Sequence, residues 1–471
     1  MCGFAGSEAL SSIARLVGLV SAGAVPEAAR PFVFGARLFA LQKAGGGIRP
    51  IACGDVFRRI AARILAGNAS RQLSPFLFSN RQVGVQAPCG AEAAQLAARR
   101  FAAAASEEDV VLKLDFKNAF NTIARQSFVE GVSSRVPALL PHVWAAYGAP
   151  GALFFGDTRL ASSAGAQQGD PLGPLLFSIA AAFLRTRVLA TLSADEVAAI
   201  RFEAAFLDDV SFGAPAPVAR KLLDAFRALG PGAGAELNLG KTEVVLHQSA
   251  PPTVAALFPD VGAHLSLQSF SLLGAPCGLS LAAAGAAAGE FCARQARKVS
   301  LIGRVPDPAV AFALLRFCGA QPLGNFIARA VGPSAAPALE VLDAAAAAAF
   351  EEAVLVLPPP CLEVAALPAR LGGLGLRRVA PLALLAFVAA RAAATPLADK
   401  LVAPGLVEDA FAADLSSAIA RFTVEFPAAG REAAALVSER AGGAQKRLTA
   451  LREQEVFDRI LAAASLEQRA R

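Results

Sequence analysis

Phe206-Leu207-Asp208-Asp209-Val210-Ser211-Phe212 runs from apolar residues into two adjacent acids and out again. Val and Phe favour strands and Asp favours turns, so the stretch predicts a strand, a tight turn and a returning strand. Two carboxylates at such a tip, between buried strands, gather negative charge that a cation would neutralise. Taken alone, the pattern also describes an ordinary surface turn. The rest of the chain decides between the two.

A third acid stands upstream. Val110-Val111-Leu112-Lys113-Leu114-Asp115 reads as a buried strand ending on a carboxylate, where a functional acid can be held rigidly. Carboxylates of this kind suit two divalent cations about 3.5–4 Å apart, the arrangement for in-line attack of a hydroxyl on a phosphate. Mg²⁺ takes hard oxygen ligands and shares them with substrate phosphates, so few protein ligands suffice. Phosphoryl transfer needs positioning and charge neutralisation more than a nucleophilic side chain. That accords with a chain whose only histidines are His142, His247 and His264, none in a suggestive setting.

Outward from these acids, Phe32 to Leu41 is strand-like, and Gly45-Gly46-Gly47 turns it into Ile48-Arg49-Pro50-Ile51. The expected hairpin carries Lys43 and Arg49 near its turn, a natural place for cations that contact phosphate. Asp55 to Leu65 has helical spacing with Arg58, Arg59 and Arg63 on its polar side, either a solvated face or a polyanion contact. Ser74 to Gly90 reads as loop and contains Asn80-Arg81-Gln82-Val83-Gly84-Val85; Gly90 to Ala105 reads as an Ala-rich helix. Phe116 to Asn121 leads into a helix reaching about Tyr147, and Leu153 to Leu160 forms another hairpin. The Gly- and Pro-fixed loop Gly165 to Pro174 opens a long apolar helix whose first N–H groups point forward. Leu237 to Leu246 reads as a strand with Lys241 at its start, and from Leu279 onward the pattern is almost wholly helical. Arg294, Arg297 and Lys298 share one helical face there, solvated or gripping phosphates.

The 471 residues allow two or three domains. A net charge of +6 suits a polyanionic partner without demanding one. The 55% hydrophobic content comes largely from Ala, and the runs Pro171–Leu184 and Ala380–Ala390 stop at Arg185 and Arg391. Neither reaches the roughly 20 uninterrupted apolar residues of a membrane span, so no membrane partner is expected. The seven cysteines are scattered, without metal-ligand spacing, and read as small buried thiols of a reducing compartment.

Arg49-Pro50-Ile51, the Asp115/Ala119/Phe120 segment, Gln168-Gly169-Asp170-Pro171-Leu172, Phe206-Leu207-Asp208-Asp209, Leu239-Gly240-Lys241-Thr242 and Leu273-Gly274 resemble, in order, the motifs of reverse transcriptases. The set is most similar to non-LTR (LINE-type) retrotransposon enzymes, with group II intron enzymes as cousins, over roughly residues 40–280. Gly372-Gly373-Leu374-Gly375-Leu376 resembles a segment that follows the thumb in the same elements. In context, the surface-turn reading of Asp208-Asp209 recedes.

The resemblance implies an α+β right-hand polymerase: an N-terminal helical extension (1–30), fingers (31–105), a palm with an antiparallel sheet (106–280), a helical thumb (281–377) and a helical C-terminal region (378–471). It implies an RNA-directed DNA polymerase adding dNTPs to a primer 3′-hydroxyl with two Mg²⁺ or Mn²⁺ ions. Asp115 and Asp208 would bind the ions and Asp209 complete the acidic cluster. Lys43 and Arg49 would lie over the incoming triphosphate. Phe120 would block a ribose 2′-hydroxyl, and Gln168 and Gly169 would lie near the incoming nucleotide. Lys241 would donate a proton to the pyrophosphate leaving group or stabilise its charge; a solvated strand-end lysine is the plain alternative. The partners implied are an RNA template and a DNA primer or target, with a nuclear location and an open oligomeric state. Phe206 and Leu207 depart from the more usual Tyr and Ala or Met, which changes packing near the primer end. No endonuclease, Cys/His knuckle or RNase H-like set is recognisable, so a fragment of a larger polyprotein or a decayed copy is expected. The rival functions are a catalytically inactive, domesticated RNA-binding protein and an RNA-dependent RNA polymerase.

Overall fold

The computed structural model describes residues 6–42, 46–406, 412–439 and 444–464. The chain forms two compact units. The first takes in residues 1–87, 110–244 and 252–264, the second 88–109, 245–251 and 265–471.

Strands β1 (Ala36–Gln42), β2 (Ile48–Gly54), β3 (Asp109–Leu114), β4 (Gly151–Phe155), β5 (Thr158–Ser162), β6 (Phe202–Phe206), β7 (Asp209–Pro215), β8 (Glu243–Leu246) and β9 (Ala263–Ser266) form two sheets. One has the order β2–β1–β4–β5, the other β6–β7–β3–β8–β9. β1 pairs antiparallel with β2 and parallel with β4, and β6 pairs antiparallel with β7. Val110, Val111 and Leu112 of β3 are all fully buried, which is why that strand reads as an unbroken apolar run.

Helix Gly173–Leu189 packs on helices Val56–Ser79, Arg125–Arg135 and Ala216–Leu229. Gly131 permits the closest of these approaches: a Cβ there would lie 2.3 Å from Ile179 Cγ2. Three local expectations change. Helix Val56–Ser79 continues past Pro75, with Leu73 and Leu77 buried on either side of it. The helix expected up to Tyr147 is cut into Ala119–Thr122, Arg125–Arg135 and Leu140–Tyr147, with Pro137 and Pro141 in the breaks and first turns. Residues 238–241 form a turn, and β8 starts only at Glu243, because the Asn238 carbonyl accepts the N–H groups of both Lys241 and Thr242.

The second unit is mainly helical and carries the small β10 (Phe270–Leu272) and β11 (Ala275–Cys277) pair. Its core is built from small residues: Ala284, Ala288, Cys292 and Ala296 of helix Leu281–Ser300 meet Leu339 and Leu342 of helix Ala336–Ala353. Helix Gly90–Ala103 belongs to this unit and packs on helix Ala383–Ala398. Arg391 does not stop that apolar run. The stretches Pro308–Ala353 and Ala380–Ala398 are long and apolar enough to cross a membrane, and 33% and 72% of their apolar windows lie buried inside the protein. Arg294, Arg297 and Lys298 are exposed. The described cysteines other than Cys53 and Cys89 divide between buried (Cys277, Cys292) and exposed (Cys318, Cys361), and none of these six forms a disulfide.

Candidate active site

The β6–β7 hairpin closes tightly. Phe206 pairs with Asp209, leaving Leu207 and Asp208 as the turn, and Leu207 takes the left-handed φ of +57° that two-residue hairpins often require at this point. Asp208 is half-buried and Asp209 exposed.

Asp115 follows the end of β3 and is braced from the other side. Its carbonyl accepts the Asn238 N–H at 2.8 Å, and the Lys117 N–H donates to the Glu236 carbonyl at 2.8 Å. The turn that carries Lys241 is therefore tied to the backbone of Asp115. The Lys241 side chain itself is exposed.

The three acids share one electrostatic neighbourhood. Burial first, then the charge of Asp115, raises the Asp208 carboxyl above its ordinary value, while its own backbone N–H and Arg49 pull it down. Desolvation, then Asp208, then Asp115 push Asp209 up to about 6, against Lys113. The carboxylates thus disfavour one another's ionisation, as donors awaiting a cation do. Among the described residues, no group of three His, Cys, Asp or Glu side chains encloses a metal site by itself.

Arg49 lies on β2, exposed, within the field of Asp208. Lys43 lies outside the described residues. The Ala52 N–H of the same β2 donates to the Gln168 carbonyl at 2.7 Å, which stitches the Gln168–Gly169 loop to the strand of Arg49. Gly169 has φ +118°, and a Cβ there would lie 2.5 Å from the Ala52 oxygen, so only glycine lets loop and strand meet. Phe120 is half-buried and stacks on Phe177, ring centroids 4.6 Å apart.

The loop is fixed from beneath by a network that sequence reasoning missed. Arg58 was expected on the polar side of its helix; it is 1% exposed. Its guanidinium donates to Asp170 Oδ2 at 2.7 Å, to Gln167 Oε1 at 2.8 Å and to the Phe34 carbonyl. The Tyr147 hydroxyl donates to Asp170 Oδ2 at 2.6 Å, and the Leu172 N–H to Oδ1 at 2.9 Å. Burial pushes the Asp170 carboxyl up, but Arg58, Tyr147 and Leu172 outweigh it and leave it below the ordinary value. The signal was present: Arg58 falls on the stripe of Ala62, Ala69, Leu73 and Leu77, which is the buried face of the helix. Arg59 and Arg63 are exposed, as expected.

Residues 41–279, just over half of the chain, match the family described as reverse transcriptase (RNA-dependent DNA polymerase). The chain belongs to the reverse transcriptase family. Its similarity to curated proteins includes the retrotransposable element SLACS 132 kDa protein of Trypanosoma brucei gambiense, 30% identical over 215 residues. That alignment covers 44% of this chain and 17% of the relative, so this reverse transcriptase chain matches less than a fifth of that protein's length. The retrotransposon-type resemblance read from the sequence is borne out. Partial likeness extends to the apo telomerase of Candida tropicalis truncated from its C-terminal domain, 12% identical with a TM-score of 0.38 over 52% of this chain and 54% of that one. It extends also to the Candida albicans telomerase in complex with a TWJ fragment of telomeric RNA, 10% identical with a TM-score of 0.39 over 79% and 65%. The α+β polymerase class expected from the sequence accords with the family, with two sheets followed by a helical C-terminal region.

Proposed function

We propose that this chain is the polymerase part of a retrotransposon-type reverse transcriptase, copying an RNA template by adding dNTPs to the 3′-hydroxyl of a DNA primer. The observation that carries the reading is the shared field of Asp115, Asp208 and Asp209, with the charge of Arg49 acting on Asp208. Clustered carboxylates, with proton affinity raised at Asp208 and Asp209, fit divalent cations, and Asp115, Asp208 and Asp209 would hold two Mg²⁺ or Mn²⁺ ions. When bound, such ions neutralise charge on the attacking and leaving oxygens.

The chain's own residues do the rest. Arg49 binds the triphosphate by charge-assisted hydrogen bonds, and Lys43 would add a second cation. Gln168 and Gly169 form the floor under the incoming nucleotide, in register with Arg49 through β2. Phe120 fixes the sugar edge of the pocket, backed by Phe177. Lys241 donates a proton to the pyrophosphate leaving group or stabilises its charge. Fingers (31–105), palm (106–280), thumb (281–377) and C-terminal region (378–471) remain the proposed division, and the hybrid is held by shape and backbone charge. A DNA primer or target and a nuclear location belong to this proposal.

Primer extension on an RNA template with dNTPs and Mg²⁺ tests the reading. Templated DNA synthesis is the expected result. Binding of primer–template with no incorporation would leave a nucleic-acid scaffold instead, and extension by rNTPs alone an RNA polymerase. Phe120→Ala is expected to lower discrimination against rNTPs by about tenfold or more, since one removed contact in an apolar pocket is worth that much. Competition between dCTP and rCTP at one template position measures it; unchanged discrimination would remove Phe120 from the sugar pocket.

A further inference from the structure

Gln82 sits in the Asn80–Val85 segment, which the proposed chemistry leaves without a role. The segment meets β6 through one isolated parallel bridge: the Val83 N–H donates to the Ala205 carbonyl at 2.7 Å, and the Ala205 N–H to the Arg81 carbonyl at 2.9 Å. Gln82 itself is 2% exposed. Its carboxamide meets the tip of the acidic hairpin with both ends. Oε1 accepts the Leu207 N–H at 2.8 Å and the Gly84 N–H at 3.0 Å, and Nε2 donates to the Leu207 carbonyl at 3.2 Å.

One buried side chain thus takes up both backbone polar groups of Leu207. That residue is the one held at φ +57°, a conformation in which a Cβ crowds the following carbonyl and which residues other than glycine seldom adopt. Gly84 makes the approach possible, because a Cβ there would lie 2.7 Å from the Leu207 nitrogen. Asp208 is the next residue along. A change in Leu207 swings the peptide that carries it.

We propose that Gln82 is a positioning residue of the catalytic turn, holding Leu207 in its left-handed conformation and so setting where the Asp208 and Asp209 carboxylates sit. The role rests on the polymerase reading above for its consequence in catalysis. Gln82 acts through Leu207, and its loss lets the turn relax to a backbone form that leucine prefers. Glycine at position 207 accepts a positive φ without help. A second change, Leu207→Gly, therefore compensates for a missing carboxamide.

The test is a double-mutant cycle of wild type, Gln82→Ala, Leu207→Gly and the double variant. Primer-extension kinetics are measured beside the binding of Mn²⁺ alone by electron paramagnetic resonance, with thermal unfolding on every variant. Gln82→Ala is expected to lower kcat by roughly ten- to hundredfold, the cost of a misplacement near 1 Å, with KM for dNTP little changed and Mn²⁺ binding weakened. The double variant is expected to recover most of both losses. Unchanged kcat and Mn²⁺ affinity in Gln82→Ala, or a double variant no better than the single, would overturn the role. Should Gln82→Ala not fold, Gln82→Glu replaces it: the two accepted N–H bonds survive, the donation to the Leu207 carbonyl does not, and an undiminished kcat counts against the proposal. A wild type that binds Mn²⁺ but extends no primer sinks the polymerase reading alone, and the Mn²⁺ series still decides the role of Gln82.

Discussion

Asp208→Asn abolishes primer extension, by on the order of a thousandfold or more, and leaves the protein more resistant to heat rather than less. Both halves follow from one arrangement. Burial and the charge of Asp115 raise the Asp208 carboxyl, so the fold works against the ionised form that chemistry needs. An amide of the same shape removes that repulsion and, with it, the ability to hold a cation. The pH dependence has a definite sign. Asp209 titrates at about 6 in the folded chain against about 3.9 for an unperturbed Asp. Between those values the folded state binds more protons than the unfolded one, so stability falls as pH rises through that window. Asp209→Asn flattens this slope. Thermal unfolding from pH 4 to 8 without divalent ions, beside extension with Mg²⁺, reads both effects. A destabilised Asp208→Asn protein would show that the carboxylate is a structural acceptor, and retained extension would remove it from the chemistry.

The acidic hairpin was legible because it is local. Alternation, a turn-forming pair and a second apolar run are all within seven residues, and β6 and β7 form where those features fall. The β1–β2 hairpin and the strand ending at Asp115 were legible for the same reason. What failed was long-range. Arg58 and Asp170 are 112 positions apart, and no periodicity in either segment names the other. An arginine on a helix is a solvated residue until a partner is found to bury with it. Gln82 was likewise one polar residue in a Gly-containing loop, and its partner Leu207 is 125 positions away. The Leu237–Leu246 run has strand composition throughout, yet Asn238 and Gly240 turn its first half so that it can brace Asp115. Helix Gly90–Ala103 gives no sign in its own sequence that it packs with helices some 300 residues later, such as Ala383–Ala398. Sequence located the acids; the groups that hold them in place belong to tertiary structure.

Arg58→Ala costs the fold about 3–5 kcal/mol, because it leaves the Asp170 carboxylate buried with its cation removed. In a unit of this size that lowers the unfolding midpoint by roughly 10 °C. Arg58→Lys does not rescue it: one guanidinium serves Asp170, Gln167 and the Phe34 carbonyl in a fork that a lysine amine cannot reproduce. The comparison that discriminates is Arg58→Met combined with Asp170→Leu. Replacing both charges by apolar groups of similar volume avoids the stranded ion, so the pair is expected to be more stable than either Arg58→Ala or Asp170→Ala. Its acid response changes too. Asp170 is held below its ordinary value, so its contribution is present above about pH 4 and lost as pH falls through the depressed folded value; the double variant loses that acid sensitivity. Catalysis separates from stability here. The double variant keeps a folded protein but no longer ties the Gln168–Gly169 loop to helix Val56–Ser79, so KM for dNTP rises while the unfolding midpoint recovers. Single variants within about 1 kcal/mol of wild type, the range of an exposed pair, would show that the network does not hold the loop. A double variant with wild-type KM would show that β2 alone positions Gln168.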